Sequence, residues 1–131
     1  MANEEARRVT SDRLPQPVGP YSPGMNFNRL VFVSGQGATD PATGTLAGDD
    51  VETQTEQCLK NVKTILEAAG SGLQYVLRCG VFLVEIQEFP KMNAVYARMF
   101  GDHRPARTTV QVAALPGEGL LVEIDAIAYV P

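Results

Sequence analysis

The sequence predicts an α+β domain, a mixed β-sheet with two helices packed on one face. Three observations lead there. Two stretches, about Val51–Ala69 and Phe89–Phe100, carry apolar residues at spacings of three and four. Several others have the β-branched, aromatic or alternating character of strands. The order is strands, helix, strand, helix, strand, strand, and two helices cover one side of such a sheet. A length of 131 residues suits a single domain over residues 1–131, and 44% hydrophobic with 20% charged side chains describes a folded chain.

Taken in order, the first 16 residues mix charges of both signs and are expected to form a flexible N-terminal segment. They contain no apolar stretch of the secretory kind, and no later run approaches the ~20 residues of a membrane span. The expected location is the cytoplasm, without a membrane partner. Gly19-Pro20-Tyr21-Ser22-Pro23-Gly24 is stiff and turn-prone. Leu30 to Gly35 reads as a strand that runs into a loop at Ser34–Gln36, and Asp40-Pro41-Ala42-Thr43-Gly44 is a turn.

The first helix places Cys58, Leu59, Val62, Ile65, Leu66 and Ala69 on one face. Asp49 or Asp50 can cap its start, and Gly70 falls where a left-handed residue ends a helix. Tyr75 to Val84 is the next strand. The second helix has Pro90 in its first turn, Phe89, Met92, Tyr96 and Met99 or Phe100 on one face, and Gly101 behind it. Strands at Arg107–Ala113 and Leu120–Val130 follow, split by Pro116-Gly117-Glu118-Gly119.

The last strand is the informative one. Val122, Ile124, Ala126, Ala128 and Val130 point one way, suited to helix packing. Leu121, Glu123, Asp125, Ile127 and Tyr129 point the other way, too polar for a core and too apolar for open water. A second copy of the chain covering that face resolves the conflict, so a homo-oligomer with polar groups near its interface is expected.

Composition narrows the chemistry. One histidine (His103) and two cysteines (Cys58, Cys79) cannot make a structural zinc site of ordinary spacing. Any Ser-His-Asp or Cys-His device would have to use His103, which at a helix exit is more often a cap or surface residue. Both cysteines fall on apolar positions and read as reduced, buried hydrophobes. With 15 acidic and 11 basic residues the net charge is −4, which argues against a phosphate-backbone binder.

Three places remain. Arg107 opens a strand, where a guanidinium could hold a carboxylate or phosphate through two parallel hydrogen bonds, although a surface arginine or rim salt bridge is the commoner role. Glu123, on the mixed face of the adjacent strand, could orient and deprotonate a water or serve as a structural partner to an arginine. The loops at Gly19–Gly24 and Ser34–Gln36 could bring backbone close to a ligand or be plain turns. These residues define a plausible small-molecule site but name no reaction.

At the same residues the chain resembles the reactive intermediate deaminase family, RidA or YjgF, often labelled endoribonuclease L-PSP. The matching segments are Gly19-Pro20-Tyr21-Ser22, Val33-Ser34-Gly35-Gln36, Asp40-Pro41-Ala42-Thr43-Gly44, and Asn61-Val62-Lys63 through Glu67-Ala68-Ala69-Gly70. They continue with Met92-Asn93-Ala94-Val95-Tyr96, Pro105-Ala106-Arg107, Gln111 through Pro116 and Val122 through Ala128. All run in order and cover nearly everything from residue 17 to 130.

The resemblance implies a chorismate-mutase-like subunit in a homotrimer with a site in each inter-subunit cleft. It implies hydrolytic deamination of reactive 2-enamino and 2-imino acids, of the 2-aminoacrylate and 2-iminopropionate type, to 2-oxo acids and ammonia, with no metal or organic cofactor. Arg107 would clamp the substrate carboxylate and Glu123 position the attacking water. Tyr21 would border the pocket, Gly35 offer backbone contact, and Ser34 and Asn93 support the wall. Thr109 stands where the family commonly has Cys, so a main-chain contact there would survive and a thiol role would not. Gly101-Asp102-His103-Arg104 replaces a more usual apolar approach to Pro-Ala-Arg. RNA cleavage with inhibition of translation, and a non-enzymatic trimer that binds small carboxylates or acts as a chaperone, are the competing readings.

Overall fold

The computed structural model describes residues 5–131 except residue 15. The strands are β1 (Arg7–Val9), β2 (Gly24–Phe27), β3 (Leu30–Gln36), β4 (Thr39–Asp40), β5 (Thr45–Leu46), β6 (Val76–Leu83), β7 (Ala106–Gln111) and β8 (Val122–Tyr129). The helices are α1 (Val51–Ala68) and α2 (Phe89–Phe100). Six strands form one sheet in the order β1-β2-β3-β8-β6-β7, while β4 and β5 pair separately. β6 and β7 run parallel because α2 carries the chain back between them; the other pairings are antiparallel.

Both helices lie where the periodicity puts them. Of the two candidate caps for α1, Asp50 serves: its carboxylate accepts the Thr53 N–H at 2.7 Å. Its neighbour in sequence, Asp49, has no part in this bond. Gly70 behind α1 has φ +83°, a conformation that favours glycine. Cys58, Leu59, Val62, Ile65 and Leu66 are fully buried against the sheet. Three buried polar side chains of α1 join them: Gln54, Thr55 and Asn61. Gln54 donates to the Gly48 and Gly119 carbonyls, both at 2.9 Å, and accepts the Leu121 N–H at 2.8 Å. Its amide therefore pins two loops to α1 with its polar atoms satisfied.

Within the N-terminal segment, Arg7–Val9 pairs with Asn26–Gly24 as an edge strand; residues 1–4 and Pro15 lie outside the described residues. Two expectations are corrected. Ser34–Gln36 is not a loop. It is the end of β3, where Val33 pairs with Ala126 and Gln36 with Ile124, so Ser34 and Gly35 together oppose Asp125 in a β-bulge. The strand bearing Arg107 is not adjacent to the strand bearing Glu123, because β6 lies between β7 and β8. Consecutive strands split by a Pro-Gly turn look like neighbours in sequence; the parallel β6–α2–β7 crossover places them otherwise.

The two faces of the sheet are unlike. Val122, Ile124, Ala126 and Ala128 are at most 3% exposed beneath the helices. Glu123, Asp125, Ile127 and Tyr129 are half-buried on the other face, which no helix covers. Around them Phe32, Phe27, Leu30, Met25 and Val110 remain 37–44% exposed. Register places Met25 beside Phe32 and Phe32 beside Ile127, so the apolar groups are contiguous across β2, β3 and β8. None of the described helices is long and apolar enough to cross a membrane.

Candidate functional site

The sheet register divides the sequence-predicted residues into two groups. Across β6, Arg107 pairs with Cys79 and Cys79 with Ala126; Thr109 pairs with Val81 and Val81 with Ile124. Directly paired residues share a face, so Arg107 and Thr109 lie on the helix-covered side at the β7 edge. Asn93, half-buried on α2, belongs to the same side. Phe82 pairs with Glu123 and Gly80 with Asp125, which puts both carboxylates on the open side. Within one chain Arg107 and Glu123 are therefore on opposite faces of the sheet.

On the open side, Ser34, Gly35 and Glu123 come together, and Ser34 ties in the loop of Tyr21. Ser34 Oγ donates to the Ser22 carbonyl at 2.7 Å, and Ser34 N–H donates to the Pro23 carbonyl at 2.9 Å. The strand end thus holds the loop that carries Tyr21, which is half exposed. Beside Ser34, Gly35 leaves room for Glu123: a Cβ at Gly35 would come within 2.6 Å of Glu123 Oε2. Asp125 stands two residues on, its Oδ1 accepting the Gly80 N–H at 2.7 Å. A Cβ at Gly80 would likewise meet that oxygen at 2.5 Å. Two glycines on flanking strands therefore clear the space for two carboxylates.

Burial, reinforced by the negative charge of Asp125, raises the Glu123 carboxyl above the usual carboxylate range. Among the described residues Glu123 makes no salt bridge; the pairs present are Lys60–Glu56, Lys91–Glu88 and Arg98–Glu56. Its role as a structural partner to an arginine of the same chain is thus unfilled.

On the helix side, Arg107 is half-buried and its guanidinium carbon lies 4.7 Å from the Tyr96 ring centre and 5.4 Å from that of Phe89. It makes no rim salt bridge among the described residues. Thr109 Oγ1 and Tyr96 Oη are buried without a hydrogen-bond partner among the described residues. Cys79, facing this layer from β6, is buried, and that burial pushes its thiol up to about 11, so it stays protonated and unreactive at neutral pH. Cys58 is raised further by the same cause.

His103 is outside both groups. Its Nε2 lies 2.6 Å from the Val76 carbonyl oxygen, bracing the turn before β7 against the start of β6. No group of three or more His, Cys, Asp or Glu side chains among the described residues could hold a metal ion.

Sequence reasoning missed Asp125 and the Phe89–Tyr96 pair as members of the site. The carboxylate was visible only as half of an odd strand face. The aromatic residues sat in an ordinary helical stripe, and nothing in the spacing distinguishes a ring that packs on Leu from one that packs on Arg.

Fold and side chains together define a class: small α+β proteins with helices on one sheet face, an acidic cluster on the other and an arginine at the sheet edge. A family model described as endoribonuclease L-PSP matches residues 11–130. A RutC family protein of Pyrococcus horikoshii is 44% identical over 121 residues, covering 92% of this chain and 95% of that protein. Reactive Intermediate Deaminase A, chloroplastic, of Arabidopsis thaliana is 41% identical over 120 residues, 92% of this chain and 64% of that one. The crystal structure of Escherichia coli TdcF with bound serine superposes with a TM-score of 0.88 at 36% identity, over 94% of this chain and 98% of that one. The chain belongs to the RidA/YjgF family, the one that the endoribonuclease L-PSP description covers.

Proposed function

We propose that the protein hydrolyses reactive 2-imino and 2-enamino acids to 2-oxo acids and ammonia, in a homotrimer whose sites form between subunits. The observation that carries this reading is the separation of Arg107 and Glu123 on opposite faces of one sheet. Each chain offers a cationic edge and an acidic open face rimmed by exposed apolar side chains, so a head-to-tail ring of copies can bring one against the other. The serine in the TdcF structure supports the substrate class, because serine carries the same carboxylate and 2-nitrogen.

The chemistry needs little machinery. Arg107 holds the carboxylate through two parallel N–H bonds and fixes the plane of the adjacent C2. The imine carbon is already electrophilic, so no metal or covalent intermediate is required. Glu123 of the partner subunit takes a proton from water as its oxygen bonds to C2, and the carboxyl, raised by burial, is a suitable base. Return of that proton to nitrogen gives a carbinolamine; Glu123 then passes the hydroxyl proton to the same nitrogen as C=O forms and the C–N bond breaks, releasing ammonia. One imine and one water become one 2-oxo acid and one ammonia; an enamine first takes a proton at C3. Tyr21, Ser34 and Gly35 border the water side, while Thr109 and Asn93 line the carboxylate side. Two free, buried cysteines suit a reducing compartment such as the cytoplasm. The net charge of −4 and single histidine give no support to RNA cleavage, and turnover of an imine separates this reading from simple carboxylate binding.

Complementation tests it. Arg107→Ala and Glu123→Gln should each be nearly inactive in ammonia release from freshly generated 2-iminopropionate. Refolded together in equal amounts, they should recover about a quarter of wild-type activity, because random assortment in a ring pairs an intact arginine with an intact glutamate at that frequency. Mixed oligomers no more active than their parents would overturn the shared site.

A further inference from the structure

The Arg107 side chain projects from an edge strand, where a long cation would ordinarily sample many rotamers in water. Here it does not stand free. Phe89 and Tyr96 are seven residues apart on α2, two turns and about 10 Å along the axis. The guanidinium carbon is 5.4 Å from one ring centre and 4.7 Å from the other, so one cation lies over both rings. Both contacts fall within the range of cation–π attraction. Asn93, four residues after Phe89 and three before Tyr96, lies on the same helical stripe.

We propose that Phe89 and Tyr96 are positioning residues, an aromatic bracket that holds the Arg107 guanidinium so that its N–H edge is presented to a substrate carboxylate. This rests on the carboxylate-clamp role proposed for Arg107. The rings oppose swinging of the cation, while the N–H donors stay unspent among the described residues and available to a planar anion. Preorganisation of this kind lowers the cost of ordering the arginine on binding. Tyr96 is 7% exposed and burial raises its phenol far above neutrality, so the ring stays uncharged. Its hydroxyl has no hydrogen-bond partner among the described residues, and the π face is what Arg107 uses. The bracket thus requires an aromatic ring at position 96 and not a hydroxyl.

The test reads the arginine directly and then reads its ligand. In wild type the Arg107 Nε–H resonance should be displaced by ring currents, and 2-oxobutyrate, a product-type carboxylate, should bind measurably by calorimetry. Tyr96→Phe should retain both. Tyr96→Leu should abolish much of the displacement and weaken 2-oxobutyrate about tenfold, with KM rising more than kcat falls. Phe89→Leu, at a half-buried helix start, should act in the same direction and guards against a folding failure at position 96. If both leucine variants fold and bind 2-oxobutyrate as wild type does while Arg107→Ala does not, the bracket is overturned and the clamp stands. If folded wild type neither binds 2-oxobutyrate nor releases ammonia from imine, the functional reading falls and the positioning role falls with it.

Discussion

Alternate residues of β8 live in two different solvents. Ile124 is fully buried between α1 and the sheet, whereas Ile127, three positions on and facing the other way, is only half-buried among exposed Phe32 and Met25. The first face is a finished core, closed by the chain's own helices. The second has the apolar content of a core without the cover, and it carries Glu123 and Asp125 in the middle. The contrast teaches that one strand can serve folding through its even positions and leave its odd ones free for the association and chemistry proposed above.

The contrast can be broken most forcefully by truncation. Ile124→Ala should destabilise the fold by about 2–5 kcal/mol, the range for a large aliphatic side chain lost from a packed core. Ile127→Ala should cost less than about 1 kcal/mol in a monomeric unit yet weaken assembly, read as a shift toward smaller species in sedimentation. Equal losses of stability at the two positions would erase the distinction between the faces.

Next in size is Glu123→Gln, which should lower turnover on the order of 100-fold while 2-oxobutyrate binding persists, since the carboxylate is held elsewhere. The same change has a stability signature. Because the folded-state carboxyl is raised, the unfolded chain loses this proton first as pH rises. Wild-type stability therefore falls across the window from the ordinary glutamate value up to the raised one. Glu123→Gln should flatten that fall in denaturant titrations at several pH values.

The smallest effect belongs to Asp125→Asn. Burial is the larger cause of the Glu123 shift and the Asp125 charge the smaller, so removing the charge lowers the carboxyl only part of the way. The acidic limb of kcat should move to lower pH and still lie above that of an ordinary glutamate. An acidic limb that stays in place would exclude Asp125 from tuning the base.

Much of the architecture was legible in the sequence because it is periodic. The Val51 and Phe89 helices, their caps and the in-out alternation of β8 all follow from spacing of three, four or two. What periodicity lacks is partner choice. Nothing in Arg107–Ala113 says that it will run parallel to β6 in the register that sets Arg107 beside Cys79, and that pairing places Arg107 on the face opposite Glu123. Arg107, Glu123, Tyr21, Ser34 and Gly35 were singled out by residue type and family resemblance, yet their division into two groups depends on register. Asp125, Phe89 and Tyr96 stayed hidden for a related reason: their distinction lies in what they face.

The bulge at Ser34–Gly35 has a consequence for how this protein can vary. Two residues of β3 answer one residue of β8, so the strand carries one more residue than its partner requires. Removing either would restore an even ladder with Val33 still opposite Ala126 and Gln36 still opposite Ile124, but would take away Ser34, which holds the Ser22 carbonyl, or Gly35, which leaves room for Glu123. Elsewhere in β3 there is no spare residue, and a one-residue insertion or deletion there would exchange the faces of the strand on one side of it. The length of this segment is consequently constrained even where its composition is free. Among related chains, substitutions should accumulate along β3 while insertions and deletions are excluded from it.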